Sequence, residues 1–166
     1  MRSLQNLRAE SLMAGDSANK GNRIMPGHMY MYMYNPKHKD TLPYYDMFPL
    51  VFPFRQVQGG FYGLNMHYLP YHLRAMLLDR LMEFKTNKAM DERTRLRLSW
   101  QTIGATSRFA AAAPCVKHYL YQQVASPFKA IHSDDWATAI MLPVEKFSGA
   151  TRAEVWADSL KKIRNF

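Results

Sequence analysis

The stretch HMYMYMYNPKHKDTLPYYDMFPLVFPFRQVQGGFYGLNMHYLPYHLRAMLLDRL, running from His28 to Leu81, decides how this chain folds. Three runs rich in Tyr, Phe and Met are separated by Pro and Gly breakers and followed at once by a helical pattern. Aromatic runs bounded by such breakers are the local signature of β-strands. The first strand is expected over Met29–Tyr34, with side chains alternating between its faces. Met29, Met31 and Met33 then share one face, and Tyr30, Tyr32 and Tyr34 the other. Both faces are bulky, so this strand is expected to be covered on both sides or to lie at an interface. Pro43, Pro49 and Pro53 interrupt the second run. A proline donates no ladder hydrogen bond, which confines regular pairing there to short pieces or edges. Gln56–Gly60 is a turn, with Gly59-Gly60 as a hairpin device, and Phe61–Tyr68 is the third strand. Pro70 stands just ahead of the first helical turn, where proline is tolerated. The helix from Tyr71 to Phe84 places Leu73, Met76, Leu77, Leu78, Leu81 and Met82 on its apolar face. It leaves Arg74, Asp79, Arg80 and Glu83 to solvent.

Outward from this stretch the signals are weaker. A second helix is expected over Asp91–Ile103, with acids at its start to complement the helix dipole. Val116–Val124 reads as a short helix, SPFKAIH and WATAIMLP as two strands, and Thr151–Ile163 as a closing amphipathic helix. At the other end, Leu4, Leu7 and Leu12 form one apolar edge of a short N-terminal helix, too short to be stable alone. The linker GDSANKGNR follows it, so residues 1–27 read either as an arm that orders on its own domain or on a partner, or as a simple disordered tail. Residues 28–166 read as one α+β domain. The expected architecture is a small, partly open SH3-like β-barrel with inserted and C-terminal helices and an extended N-terminal arm.

The 166 residues carry 22 Lys and Arg against 13 Asp and Glu, a net charge of +9. That balance favours polyanions or acidic protein surfaces as partners. The single cysteine, Cys115, excludes an internal disulfide and a polythiolate zinc site. Its apolar setting points to a buried, inert thiol. No run approaches the roughly 18 apolar residues that span a bilayer, and the N-terminal residues lack the apolar core of a secretory signal.

Catalytic signatures are sparse. His67 and His72 are separated by a helix boundary and cannot form the same-face pair of a zinc helix, and His67 is expected as a hydrogen-bonded core residue. No metal or cofactor is expected. Asp40, Asp46, Asp134 and Asp135 fall in turns, where Asp accepts backbone hydrogen bonds. Tyr30, Tyr32, Tyr34, Tyr44 and Tyr45 have the chemistry to stack bases, but tyrosines at strand period more often form a core stripe. The basic residues make the stronger set. Lys37, His38 and Lys39 crown an interstrand loop, and Arg93 and Arg97 share a face of the second helix at four-residue spacing. Lys161, Lys162 and Arg164 close the chain. Each could neutralise a phosphate, giving salt-dependent, sequence-independent binding. Each also reads as an ordinary solvated cation.

The segments Tyr34–Phe54 and Gly59–Asp79, followed by PCVKHYLY, SPFKAIHSDDWATAIMLP and VWADS, carry a resemblance over Met29–Ser159. This motif order resembles small virion-associated proteins of large contractile-tailed phages, among them the DNA end protectors. The resemblance transfers no functional residue to a position here. It implies a non-enzymatic virion protein that contacts packaged double-stranded DNA or its end through basic loops. Other virion proteins are implied partners, and the implied location is the virion, with the host cytoplasm during assembly and no membrane. Two alternatives stand beside it: a purely architectural neck, tail or baseplate subunit, and a small barrel nuclease.

Overall fold

A computed structural model describes residues 24, 25, 27–82 and 110–165. Arg93, Arg97, the Asp91–Ile103 helix and the N-terminal arm lie outside these residues. Five strands form an antiparallel sheet: β1 (Met29–Met31), β3 (Leu50–Val57), β4 (Gly60–Asn65), β5 (Val116–Leu120) and β6 (Lys129–Ile131). Their order is β5-β4-β3-β1-β6. A two-stranded ribbon pairs β2 (Tyr45–Asp46) with β7 (Phe147–Ser148). Three α-helices complete the described residues: α1 (Tyr71–Met82), the single turn α2 (Trp136–Ala139) and α3 (Arg152–Arg164).

The alternation in MYMYMY sorts two cores onto the two faces of the sheet. Met29 and Met31 join Leu50, Phe52, Leu64 and Met66 under the helices, with Leu77, Leu78, Leu81 and Val155 closing that core. Tyr30, Tyr32 and Tyr34 face the other way and pack with Val51, Phe61, Tyr119 and Phe128. Tyr32 is the hub of this second core, edge-on to Tyr119 at 5.6 Å and to Phe128 at 4.9 Å. Such edge-to-face pairs add about 0.5–1.5 kcal/mol each beyond area burial. The tyrosines are therefore core, as their strand spacing predicts.

The sheet curls. Past β1, Tyr34 bridges Val124, and Ala125 donates to the Met33 carbonyl at 2.8 Å. The two outer strands, β5 and β6, follow each other in sequence through the 3-10 turn Tyr121–Gln123. At the β3–β4 turn, Gly59 adopts φ +75°, a conformation that costs glycine little. Beside it, a Cβ on Gly60 would fall 2.1 Å from the Tyr119 carbonyl oxygen, so β4 and β5 approach closely only because that residue is glycine.

Several expectations are corrected. β3 is the longest of the described strands and sits mid-sheet despite Pro53. β1 pairs with it only at Leu50 and Val51, so Pro53 lies beyond the reach of that neighbour and next to a bulge. The third strand ends at Asn65, and Met66–Tyr68 is a 3-10 turn capped by the Asn65 side chain. Val116–Leu120 is a strand, because pairing along β4 outweighs its local helical preference. WATAIMLP begins with the helical turn α2, anchored by the Trp136 indole, which donates to the Ile131 carbonyl at 2.9 Å. Arg74, expected in solvent, is fully buried, whereas Met76 is exposed. The closing helix forms as expected, with Thr151 and Glu154 in a reciprocal capping box, an arrangement in which the cap alone contributes about 1 kcal/mol.

Candidate nucleic-acid interface

Lys37, His38 and Lys39 are all exposed on a turn between β1 and β2. The His38 carbonyl closes it, accepting from the Thr41 and Leu42 amides at 3.0 and 3.1 Å. The loop thus presents two ammonium groups and an imidazole on a locally ordered tip. Of the predicted binding residues, these three are the ones described; Leu4, Leu7 and Leu12 fall outside, as do Arg93 and Arg97.

A second cationic group gathers where α3 meets the sheet. Lys117 on β5 holds its ammonium 4.0 Å from the Tyr68 ring centroid. Burial, reinforced by the Lys162 charge, lowers the Lys117 pKa to about 8. Lys162 itself pairs with Asp158 at 3.2 Å, and the Tyr44 hydroxyl donates to the same carboxylate. That hydroxyl bond, with Lys162, holds the Asp158 carboxyl below its ordinary range. Next along the chain, Cys115 is buried and its thiol is pushed up to about 12 by desolvation, as an inert core thiol should be.

A third group lies on the surface end of the β3–β4–β5 sheet. Arg55 pairs in register with Tyr62, and Tyr62 with His118. The Tyr62 and His118 rings stack at 4.7 Å with 16° between their planes. Sequence reading missed this array, because it exists only once residues 56 positions apart are brought into register. The alternation of β4 signals that Tyr62 faces away from Phe61, but nothing local signals its partner on β5.

The described interior also holds a polar centre. The Asp46 carboxylate uses all its acceptor capacity: Oδ1 accepts from the Phe48 and Lys146 amides at 2.9 and 3.2 Å. Its Oδ2 accepts from Asn65 Nδ2 at 3.0 Å and meets His67 Nδ1 at 2.7 Å. Burial opposes ionisation, but His67, Asn65 and the Phe48 amide outweigh it and lower the Asp46 pKa. Asp46 therefore sits in a strand and binds two side chains as well as the expected backbone amides. His67 is the hydrogen-bonded core residue its setting suggested, and its Nε2 has no hydrogen-bond partner. The pair resembles the base and orienter of a hydrolase, yet the two side chains are 0% and 1% exposed. A general base must reach the proton it takes. Here it is sealed under the core, and the pair works as architecture.

Arg74 supports the same region from α1. Its guanidinium donates to the carbonyls of Leu69 and Ile140, both at 2.7 Å, and of His67 at 3.3 Å. Glu145 Oε2 lies 3.6 Å away, an ion pair beyond hydrogen-bond reach, while its Oε1 accepts from Arg152 at 2.9 Å. Burial lowers the Arg74 pKa and Glu145 partly restores it. No three His, Cys, Asp or Glu side chains gather to hold a metal among the described residues. No described helix is long and apolar enough to cross a membrane.

Among the described residues, exposed cations thus lie at the Lys37–Lys39 tip and at Arg55, the latter beside the Tyr62 and His118 rings. Neither the curated proteins nor the solved structures compared with the chain gave a match. A family model does: the one described as the phage T4 terminal DNA protecting protein matches residues 7–159, reaching further into the N-terminal segment than the motifs from Met29 onward, and the chain belongs to that family.

Proposed function

We propose that this protein is a non-enzymatic virion component that contacts packaged duplex DNA, at or near its end, through basic loops. The observation that carries the reading is the family match over residues 7–159. The exposed Lys37-His38-Lys39 tip and the net charge of +9 supply the physical means of contact. Arg93 and Arg97 belong to the same proposed contact set. The arm, residues 1–27, is assigned to other virion proteins through Leu4, Leu7 and Leu12, beside a single domain over 28–166. The implied place of action is the virion, with the host cytoplasm during assembly. We read the curled sheet as a partly open SH3-like barrel with helices inserted between β4 and β5. Its support is the strand order and the 3-10 turn linking the two outer strands.

The test compares binding of the purified chain to a linear duplex and to a closed circle of matched sequence, at low and moderate salt. Affinity that falls with salt for both forms, and falls further when Lys37, Lys39, Arg93 and Arg97 are reversed to Glu, is the expected result. Absence of binding to either form at low salt would sink the reading. It would leave an assembly subunit whose basic surface meets an acidic protein neighbour.

A further inference from the structure

A duplex end differs from a duplex interior in features that any sequence shares: it carries free 5′ and 3′ termini, and its terminal base pair exposes a π-face. Interior pairs are covered on both sides. A flat aromatic surface next to cations for the flanking phosphates lets a protein recognise that exposed face without reading sequence. Such an array lies on the β3–β4–β5 side of the sheet. The bulge in β3 places Phe54 and Arg55 together opposite Tyr62. The Phe54 ring lies 6.5 Å from that of Tyr62, and Tyr62 stacks on His118 at 4.7 Å. The rings thus step across β3, β4 and β5 as a short column. β5 is the outer strand of the sheet, so His118 has a ring partner on its inner side, Tyr62, and its side chain is exposed. Arg55 is exposed in the same row.

We propose that the Phe54–Tyr62–His118 column, with Arg55 beside it, is a stacking site for the exposed terminal base pair of duplex DNA. This rests on the DNA-contact reading above and gives it a means of end selection. The occupant follows from three features: the rings match the π-face that an end alone exposes, Arg55 adds charge complementary to a phosphate, and the family is one of terminal DNA protection. Tyr62 is half-buried and braced by Phe54, which suits a platform that must be flat before the partner arrives. His118 is the contact ring.

The experiment uses the full chain with two probes, a blunt linear duplex and a closed circle of the same sequence. His118→Ala, an exposed substitution, is expected to reduce the preference for the linear form by about 10-fold, in the range of one base–aromatic stack. Affinity for the circle should be unchanged. His118→Phe should keep the preference, because it keeps an aromatic ring at the contact position. Tyr62→Leu should weaken the preference like His118→Ala, with circular dichroism confirming that the sheet is intact. A His118→Ala chain with the wild-type preference would overturn the stacking site while leaving DNA contact standing. So would a wild-type chain that binds both forms equally. Failure of the wild-type chain to bind either form would remove the DNA reading and this proposal together.

Discussion

The Asp46 carboxylate meets the His67 imidazole at 2.7 Å, joining β2 to the 3-10 turn that follows β4 in a site closed to solvent. With Asn65 and the amides of Phe48 and Lys146 it forms a hub on which three separate backbone segments converge. A buried charge held this way contributes little over an apolar substitute, but removing one partner strands the others.

Asp46→Ala should therefore destabilise the fold by about 3–5 kcal/mol, the cost of breaking a buried pair from one side, measured by urea unfolding at pH 7. The hub also sets an acid limit. The folded Asp46 pKa lies below its ordinary 3.8, so the stabilisation is present above that value and fades as pH falls through the lowered one. Asp46→Asn should flatten the decline in stability below about pH 4. An unchanged acid limb in that variant would assign the limb to other carboxylates.

Arg74 presents a different test of buried charge. Its planar fork satisfies three carbonyls, those of Leu69 and His67 in one turn and of Ile140 far along the chain. A lysine carries the charge but not the fork, so Arg74→Lys should fail to rescue what Arg74→Ala loses. Both variants should lose about 3 kcal/mol or more, a fall of roughly 6–12 °C in midpoint for a chain of this size. A lysine variant melting with the wild type would show that charge alone suffices.

These two residues mark how far the sequence could be read. Periodicity separated Met29 and Met31 from Tyr30 and Tyr32 because alternation is a local property of extended chain, and both cores follow from it. The Gly59-Gly60 turn and the closing amphipathic helix were legible for the same reason: their patterns lie within a few residues of chain. Arg74 was not, since an arginine between Leu73 and Ala75 looks solvated until the carbonyl of Ile140, 66 residues away, comes to meet it. Val116–Leu120 became a strand only through β4. The candidate interface divides likewise. The Lys37–Lys39 tip was visible as a charged turn, whereas the Tyr62–His118 stack is a product of long-range register.

Lys117 supplies a prediction of opposite sign to Asp46. Its ammonium is half-buried over Tyr68 with Lys162 close by, and its pKa falls from 10.5 to about 8. Between those values the unfolded chain holds more protons at this position than the folded one. Linkage then requires stability to rise with pH across that window. The tyrosines act the other way. Burial raises the Tyr44 and Tyr68 hydroxyls above their ordinary 10.0, so the unfolded chain loses those protons first and stability falls once pH passes about 10. The informative range is thus pH 7 to 9.5, below tyrosine ionisation in the unfolded chain. Lys117→Met keeps the stem over Tyr68 and removes the charge. It should be more stable than the wild type at pH 7 and lose the rise in midpoint between about pH 8 and 9.5. A wild-type chain whose midpoint is flat over that range would show that Lys117 is solvated as a free ammonium. The charge beside Lys162 would then impose no cost on folding.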